Sequence, residues 1–253
     1  MEKAKDKMFF KGKNVLVTGA SKGIGRAICL EFLKLGANVF FTFRKKDSFS
    51  ESLKKAKFRF SGKIYVIKCD ANKIQNLKKL QKLVKKNIYK LDVLVNNVGD
   101  AFKRSKFENS KDDLWQKNIN LNLMSAVRTT RFFLKMLKKS HSPCIINIGS
   151  IAGKNPGSGD SLHYSVSKSA LEIFTRGLAK ELKGFRVNCV APSAIDTNFQ
   201  KRLSSKKRLN KIIKATSLGR IGRPEEVSDL VVFLSSDAAT YINGETIYLS
   251  GGR

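Results

Sequence analysis

The run Asn14-Val-Leu-Val-Thr-Gly-Ala-Ser-Lys-Gly-Ile-Gly25 joins an apolar, β-branched segment to a glycine-rich turn, and apolar residues at helical spacing follow from Ile24 to Leu35. Gly19, Gly23 and Gly25 stand in the pattern G-x-x-x-G-x-G, with Ser21, Lys22 and Ile24 between them. Glycines permit the tight turn and let backbone N–H groups approach a pyrophosphate. A helix opening directly behind the turn aims its positive N-terminus at that charge. Three glycines alone are weak evidence, but between the first strand and first helix of an alternating chain they read as a dinucleotide phosphate loop.

Outward from this run, β-type segments recur at Asn38–Phe43, Ile64–Lys68, Val93–Asn96, Cys144–Ile148, Arg186–Ala191 and Thr246–Leu249. Helical patterns lie between them, at Asn72–Lys86, Lys111–Leu137, Tyr164–Leu182 and Pro224–Leu234, and a further one falls in the crossover before Gly62. Strands alternating with helices of this length read as βαβ units. Their almost wholly apolar strands fit a sheet covered on both faces. The expected fold is α/β: a single-domain Rossmann fold with a doubly wound, mostly parallel seven-stranded sheet. The domain spans 1–253, with an N-terminal tail to about residue 10 and a substrate-covering insertion at 198–217. That insertion contains the basic stretch Asn198–Lys214, which breaks the βα rhythm after a strand's carboxyl end.

Length and composition bound the class. The chain has 253 residues, 42% of them apolar, enough for a substantial core. No stretch approaches the roughly 18–20 apolar residues a membrane span needs. Met1–Asn14 is of mixed charge without an apolar h-region, so no secretory signal is expected and the expected location is cytoplasmic. Cys29, Cys69, Cys144 and Cys189 show neither metal-ligand spacing nor C-x-x-C, and read as buried thiols of a reducing compartment, with no metal site. Lys and Arg number 50 against 20 acids, a formal net charge of +30. The lysines are spread over most of the chain and Asn, Ile and Phe are also plentiful, which reads as compositional drift. No aromatic-interleaved basic motif marks a nucleic-acid partner. A basic surface still suits polyanionic substrates.

The end of the second strand bears on the cofactor. An acidic residue about 20 positions past the loop favours NAD. Here Phe43 occupies that position and Arg44 follows, with Lys22 in the loop. A guanidinium pairs well with a phosphate, which favours NADP(H) with its 2′-phosphate.

Chemistry is suggested by Tyr164-Ser-Val-Ser-Lys168, whose ends share one helix face. A nearby ammonium lowers the cost of forming a tyrosinate, so Tyr164 can act as general acid or base. By itself Y-x-x-x-K is a poor signal. However, Ser150 closes the Cys144–Ile148 strand at the sheet's carboxyl edge, where its hydroxyl can hydrogen-bond a carbonyl, and Asn96-Asn-Val-Gly99 ends the neighbouring strand at the same edge.

With these motifs in place, the sequence resembles the short-chain dehydrogenase/reductase family from about Lys11 to Gly252. In family order stand Thr18–Gly25, the CDA of Cys69–Ala71, the NNVG of Asn96–Gly99, a Trp115-to-Asn122 helix, Ser150, the YSVSK of Tyr164–Lys168, RVNCVAPS at Arg186–Ser193 and the IDT of Ile195–Thr197. The tail from Gly222 onward is similar to the 3-oxoacyl-(acyl-carrier-protein) reductase branch. The resemblance implies that Tyr164 is the proton donor, that Lys168 also holds the nicotinamide ribose, and that Ser150 orients the carbonyl. It makes Asn122, with Asn120 as runner-up, the holder of a water that links Lys168 to solvent. It places Asp70 and Ala71 at adenine, Asn97 and Gly99 beside the cofactor, and Pro192, Ile195 and Thr197 at the nicotinamide carboxamide. It also implies a homotetramer or homodimer.

Departures from the pattern are Ser193, where the family has Gly, and the longer Ser150–Tyr164 interval, whose extra length falls in Lys154–Ser161. His163, before the tyrosine, is expected to point elsewhere. The leading reading is reduction of a ketone by NADPH. A 3-oxoacyl thioester carried on acyl carrier protein or coenzyme A is the first substrate, and Lys138, Lys139 and Lys183 are docking candidates. The alternatives are an alcohol dehydrogenase or reductase acting on a sugar, steroid or small carbonyl compound, and, in another class, a non-catalytic NADP-binding or nucleic-acid-binding protein.

Overall fold

A computed structural model describes residues 10–44, 60–156 and 159–253. The strands are β1 Asn14–Val17, β2 Asn38–Phe43, β3 Ile64–Lys68, β4 Val93–Asn96, β5 Cys144–Ile148, β6 Arg186–Pro192 and β7 Thr246–Leu249. They form one seven-stranded sheet in the order β3-β2-β1-β4-β5-β6-β7. Every pairing is parallel, where the sequence suggested mostly parallel. The order reverses between β1 and β4, the switch point at which such sheets open a crevice.

The helices are α1 Gly23–Lys34, α2 Ile74–Asn87, α3 Asp112–Ile119, α4 Ser125–Leu137, α5 Leu162–Glu181, α6 Asn198–Leu203, α7 Lys206–Lys214 and α8 Pro224–Ser235. The period-2 alternation of β1 divides the core. Val15 and Val17 pack with Ile28 and Phe32 of α1 and Val227 and Val231 of α8. Leu16 faces the other side, among Leu77 and Leu80 of α2 and Phe133 and Leu137 of α4.

Two expectations change. Lys111–Leu137 is not one regular helix, because α3 and α4 are joined by a π turn over Asn120–Met124 in which the Ser125 N–H reaches the Asn120 carbonyl. One extra residue in a turn leaves the apolar periodicity on either side intact, so the sequence pattern does not register it. Phe10, placed at the end of the tail, is a core residue, 2% exposed, with its ring edge-on to Phe32 at 4.9 Å. The insertion is itself helical, as α6 and α7. The helical pattern before Gly62 and most of the tail lie outside the described residues.

Buried amides tie the sheet to α4 and α5. Asn96 Nδ2 donates to Asn147 Oδ1 at 2.9 Å and to Thr130 Oγ1 at 3.1 Å, and Asn147 Nδ2 donates to Thr175 Oγ1 at 2.9 Å. Asn147→Ala leaves partners on β4 and α5 unsatisfied. Chemical denaturation is expected to show a loss on the order of 2–3 kcal/mol, and a loss under about 0.5 kcal/mol, the size of an ordinary surface change, contradicts this role.

Candidate active site

The carboxyl ends of β1, β4, β5 and β6 open onto a crevice of about 430 Å³. On its phosphate-loop side, Gly19 adopts φ +64, a conformation that costs a side-chain-bearing residue strain. Gly25 is required for space, since a Cβ there would overlap Asn97 Nδ2. Asn97 closes the loop against β4. Its N–H donates to Thr18 Oγ1 at 3.1 Å, and its amide donates to the Thr18 and Gly19 carbonyls at 2.9 and 3.0 Å. Helix α1 begins with no side-chain cap and no acid in its first turn, so its terminal N–H groups are left to solvent or an anion.

The crevice is lined by each residue that the sequence assigned to a cofactor: Gly19, Ser21, Lys22, Gly23, Ile24, Gly25, Arg44, Asp70, Ala71, Asn97, Gly99, Tyr164, Lys168, Pro192, Ile195 and Thr197. Phe43 is buried in the core and Arg44 is exposed at the rim. Asp70 Oδ1 accepts from the Asn72 N–H at 3.0 Å. The glycine cradle, the uncapped helix start and the cationic rim form a donor set that fits a dinucleotide phosphate.

At the other end, the Ser150 hydroxyl oxygen caps a short turn, accepting from the Ala152 N–H at 3.2 Å, which leaves its proton for a second partner. Ser150 stands close enough to the Tyr164 phenol to favour its anion. Burial nevertheless pushes Tyr164 up to about 12, and the Asp100 carboxylate adds to the rise. Lys168, one turn later on α5, is 3% exposed and donates from Nζ to the Ile148 carbonyl at 2.7 Å. Burial lowers its ammonium to about 8, against the opposing effect of Cys189 and Glu172. Nζ lies 5.9 Å from the Tyr164 ring centre.

Asn122 is buried in the π turn just behind the crevice. Its Oδ1 accepts from the Asp100 N–H and its Nδ2 donates to the Asp100 carbonyl, both at 2.9 Å. A Cβ on Gly99 would sit 2.9 Å from Asn122 Oδ1 and 3.0 Å from Lys168 Nζ, so three elements meet there.

A family model described as enoyl-(acyl carrier protein) reductase matches residues 19–253. The chain is 35% identical over 250 residues to the 3-oxoacyl-(acyl-carrier-protein) reductase FabG of Pseudomonas aeruginosa, covering 97% of this chain and 98% of that protein. It belongs to the short-chain dehydrogenase/reductase family. Among solved structures, a 7α-hydroxysteroid dehydrogenase complexed with NADH and 7-oxo glycochenodeoxycholic acid superposes with TM-score 0.92 at 28% identity, over 98% of this chain and 96% of that one. The NADPH-dependent 3-quinuclidinone reductase of Rhodotorula rubra superposes at 0.91 and 27%, over 98% and 93%. The family therefore embraces both nicotinamide cofactors and dissimilar carbonyl compounds.

Other residues of this family member's crevice were not singled out from sequence. Asp100 directly follows the NNVG motif, faces Tyr164 electrostatically and is bound by Arg202 of α6. Phe199 stacks obliquely 6.1 Å from the Tyr164 ring. Adjacency to NNVG was an available signal for Asp100; Phe199 had none, because the insertion's docking is tertiary. Ser193 is accommodated without a positive φ, its N–H donating to the Leu249 carbonyl at 2.9 Å. His163 points away from the crevice, with Nε2 3.1 Å from the Lys103 carbonyl oxygen. In the lengthened Lys154–Ser161 segment, residues 157 and 158 lie outside the described residues. Among the described residues no helix is long and apolar enough to cross a membrane, and no His, Cys, Asp or Glu group is arranged to hold a metal.

Gly25→Ala pushes Asn97 off the phosphate loop. Fluorescence titration with NADPH is expected to show affinity falling at least about tenfold, some 1.4 kcal/mol, with the circular dichroism spectrum retained. Unchanged affinity contradicts the cradle.

Proposed function

We propose that this protein is an NADP(H)-dependent carbonyl reductase that converts a ketone to a secondary alcohol, with a 3-oxoacyl thioester as its substrate class. The observation that carries this reading is the convergence of Ser150, Tyr164 and Lys168 on one crevice whose far rim carries Arg44 in place of a carboxylate. The relationship to the Pseudomonas reductase supports the thioester.

A bound NADPH supplies the hydride. The Ser150 hydroxyl donates to the substrate carbonyl and holds it. Tyr164 gives its proton to the carbonyl oxygen as negative charge develops there. The Lys168 ammonium lowers the cost of the tyrosinate left behind. Asn122 positions a water that reconnects Lys168 with solvent. In the oxidative direction the phenol must first ionise, so alcohol oxidation rises with pH. Arg44 holds the 2′-phosphate with Lys22, and Asp70 and Ala71 border the adenine. The acyl group is presented on acyl carrier protein or coenzyme A, for which the exposed Lys138, Lys139 and Lys183 are docking cations. The assembly is a homodimer or homotetramer through α3–α4 and α5, whose Val166 and Ile173 are exposed apolar side chains.

Purified protein is expected to oxidise NADPH with acetoacetyl thioesters, followed by absorbance. Reduction of a sugar, steroid or small diketone but not of the thioesters sinks the substrate assignment. Tyr164→Phe is expected to lower turnover by about 10²–10⁴-fold; unchanged turnover removes this site from the chemistry. Arg44→Ala is expected to weaken NADPH by about 10–100-fold, the worth of a charged hydrogen bond, while leaving NADH untouched. Equal loss for both cofactors refutes the 2′-phosphate contact.

A further inference from the structure

Behind the crevice, on the side of Lys168 away from Tyr164 in sequence, lies a buried carboxylate that the reaction as described does not use. Glu172 stands one helical turn beyond Lys168 on α5 and is 6% exposed. Its Oε2 accepts from the Tyr248 hydroxyl of β7 at 2.8 Å. Its Oε1 is buried with no hydrogen-bond partner among the described residues. A Cβ on Gly153 would overlap that oxygen, so the turn that Ser150 caps is seated directly on it. The same turn is held to α5 by the Ser169 hydroxyl, which donates to the Gly153 carbonyl at 2.6 Å.

The charged and titratable groups facing Glu172 come from each neighbouring element. They are Lys168 and Arg176 on α5, Lys154 after β5, Tyr248 on β7 and Cys189 on β6. Burial raises its carboxyl, while Tyr248 and the three cations oppose the rise. Lys168 in turn feels two groups that favour its charge, Cys189 and Glu172. Burial pushes the Cys189 thiol up to about 12, so it is neutral near pH 7. Glu172 is the carboxyl group one helical turn from the buried Lys168, on the same face of α5. A buried cation without a counter-charge gives up its proton.

We propose that Glu172 is a positioning residue for Lys168: paired with Tyr248 across α5 and β7, it keeps the ammonium charged while Nζ is held at the Ile148 carbonyl. The role in turnover rests on the reading of Tyr164 and Lys168 as the reacting pair.

The test uses the full chain without cofactor, with lysine labelled by ¹³C at Cε and ¹⁵N at Nζ. The Lys168 resonance is identified by its loss in Lys168→Met. In Glu172→Gln its titration midpoint is expected to fall by about one pH unit or more, a tenfold loss in the charged-to-neutral ratio. Tyr248→Phe is expected to move it the same way by less, and Glu172→Asp to restore most of it. In turnover, the alkaline limb of carbonyl reduction in Glu172→Gln shifts to lower pH by the same interval, with the KM for NADPH unchanged. An unmoved midpoint in a Glu172→Gln protein that melts cooperatively overturns the proposal. If that variant does not fold, an unmoved midpoint in Tyr248→Phe overturns it instead. A wild type that reduces no carbonyl, but whose Lys168 midpoint still depends on Glu172, sinks the reductase reading and leaves the charge coupling standing. Reduction with an unmoved midpoint does the reverse.

Discussion

A buried ammonium has to find acceptors, and the place where Lys168 finds one organises the site. Nζ donates to the Ile148 carbonyl, the last of β5, and this pins α5 to the carboxyl edge of the sheet. Ser150 is two residues past that carbonyl and Tyr164 is one turn before the lysine, so the same bond brings hydroxyl and phenol together. The crowding at Gly99 follows from it as well, because a side chain there would meet both the ammonium and the Asn122 amide. Desolvation lowers the lysine and raises the tyrosine, the lysine buried and the tyrosine half-buried in the wall of the crevice.

The rest of the crevice depends on the parallel sheet reversing its order between β1 and β4. That reversal leaves the β1 loop and the NNVG segment facing each other, and Asn97 and Thr18 close the seam by direct hydrogen bonds. The insertion closes the other wall. Thr197 at the start of α6 packs beside Gly23, Arg202 binds Asp100, and Asp160 is held by Arg104 of the β4 loop and Arg208 of α7. In a chain of net charge +30, two of its 20 acids, Asp100 and Asp160, hold the insertion in place. Local ion pairs of this partly buried kind define geometry more than they add stability.

Much of this was legible in the amino-acid order. The strands β2 to β5 and β7 begin and end where apolar, β-branched runs do; β4 and β5 are buried throughout, while the edge strands β3 and β7 are half-covered. The phosphate loop could be read because glycine is demanded there by backbone geometry and close packing, which are local constraints. The spacing of Tyr164 and Lys168 could be read because a helix face repeats every turn. The π turn was not legible, since one surplus residue leaves the periodicity on either side intact. Nor was the core position of Phe10, which is set by its contact with Phe32 across the fold.

The sequence alone thus determined the class of fold, the phosphate loop and the identity of the residues offered for chemistry, because each depends on neighbours a few positions away. Only the tertiary structure decided that Asp100 and Phe199 face Tyr164, that the insertion is clasped by Asp100 and Asp160, and that Glu172 and Tyr248 stand behind Lys168. These residues lie on separate strands, loops and helices. Their energies come from burial and charge at contact distance, and nothing in a linear pattern encodes which distant side chain will share a buried space.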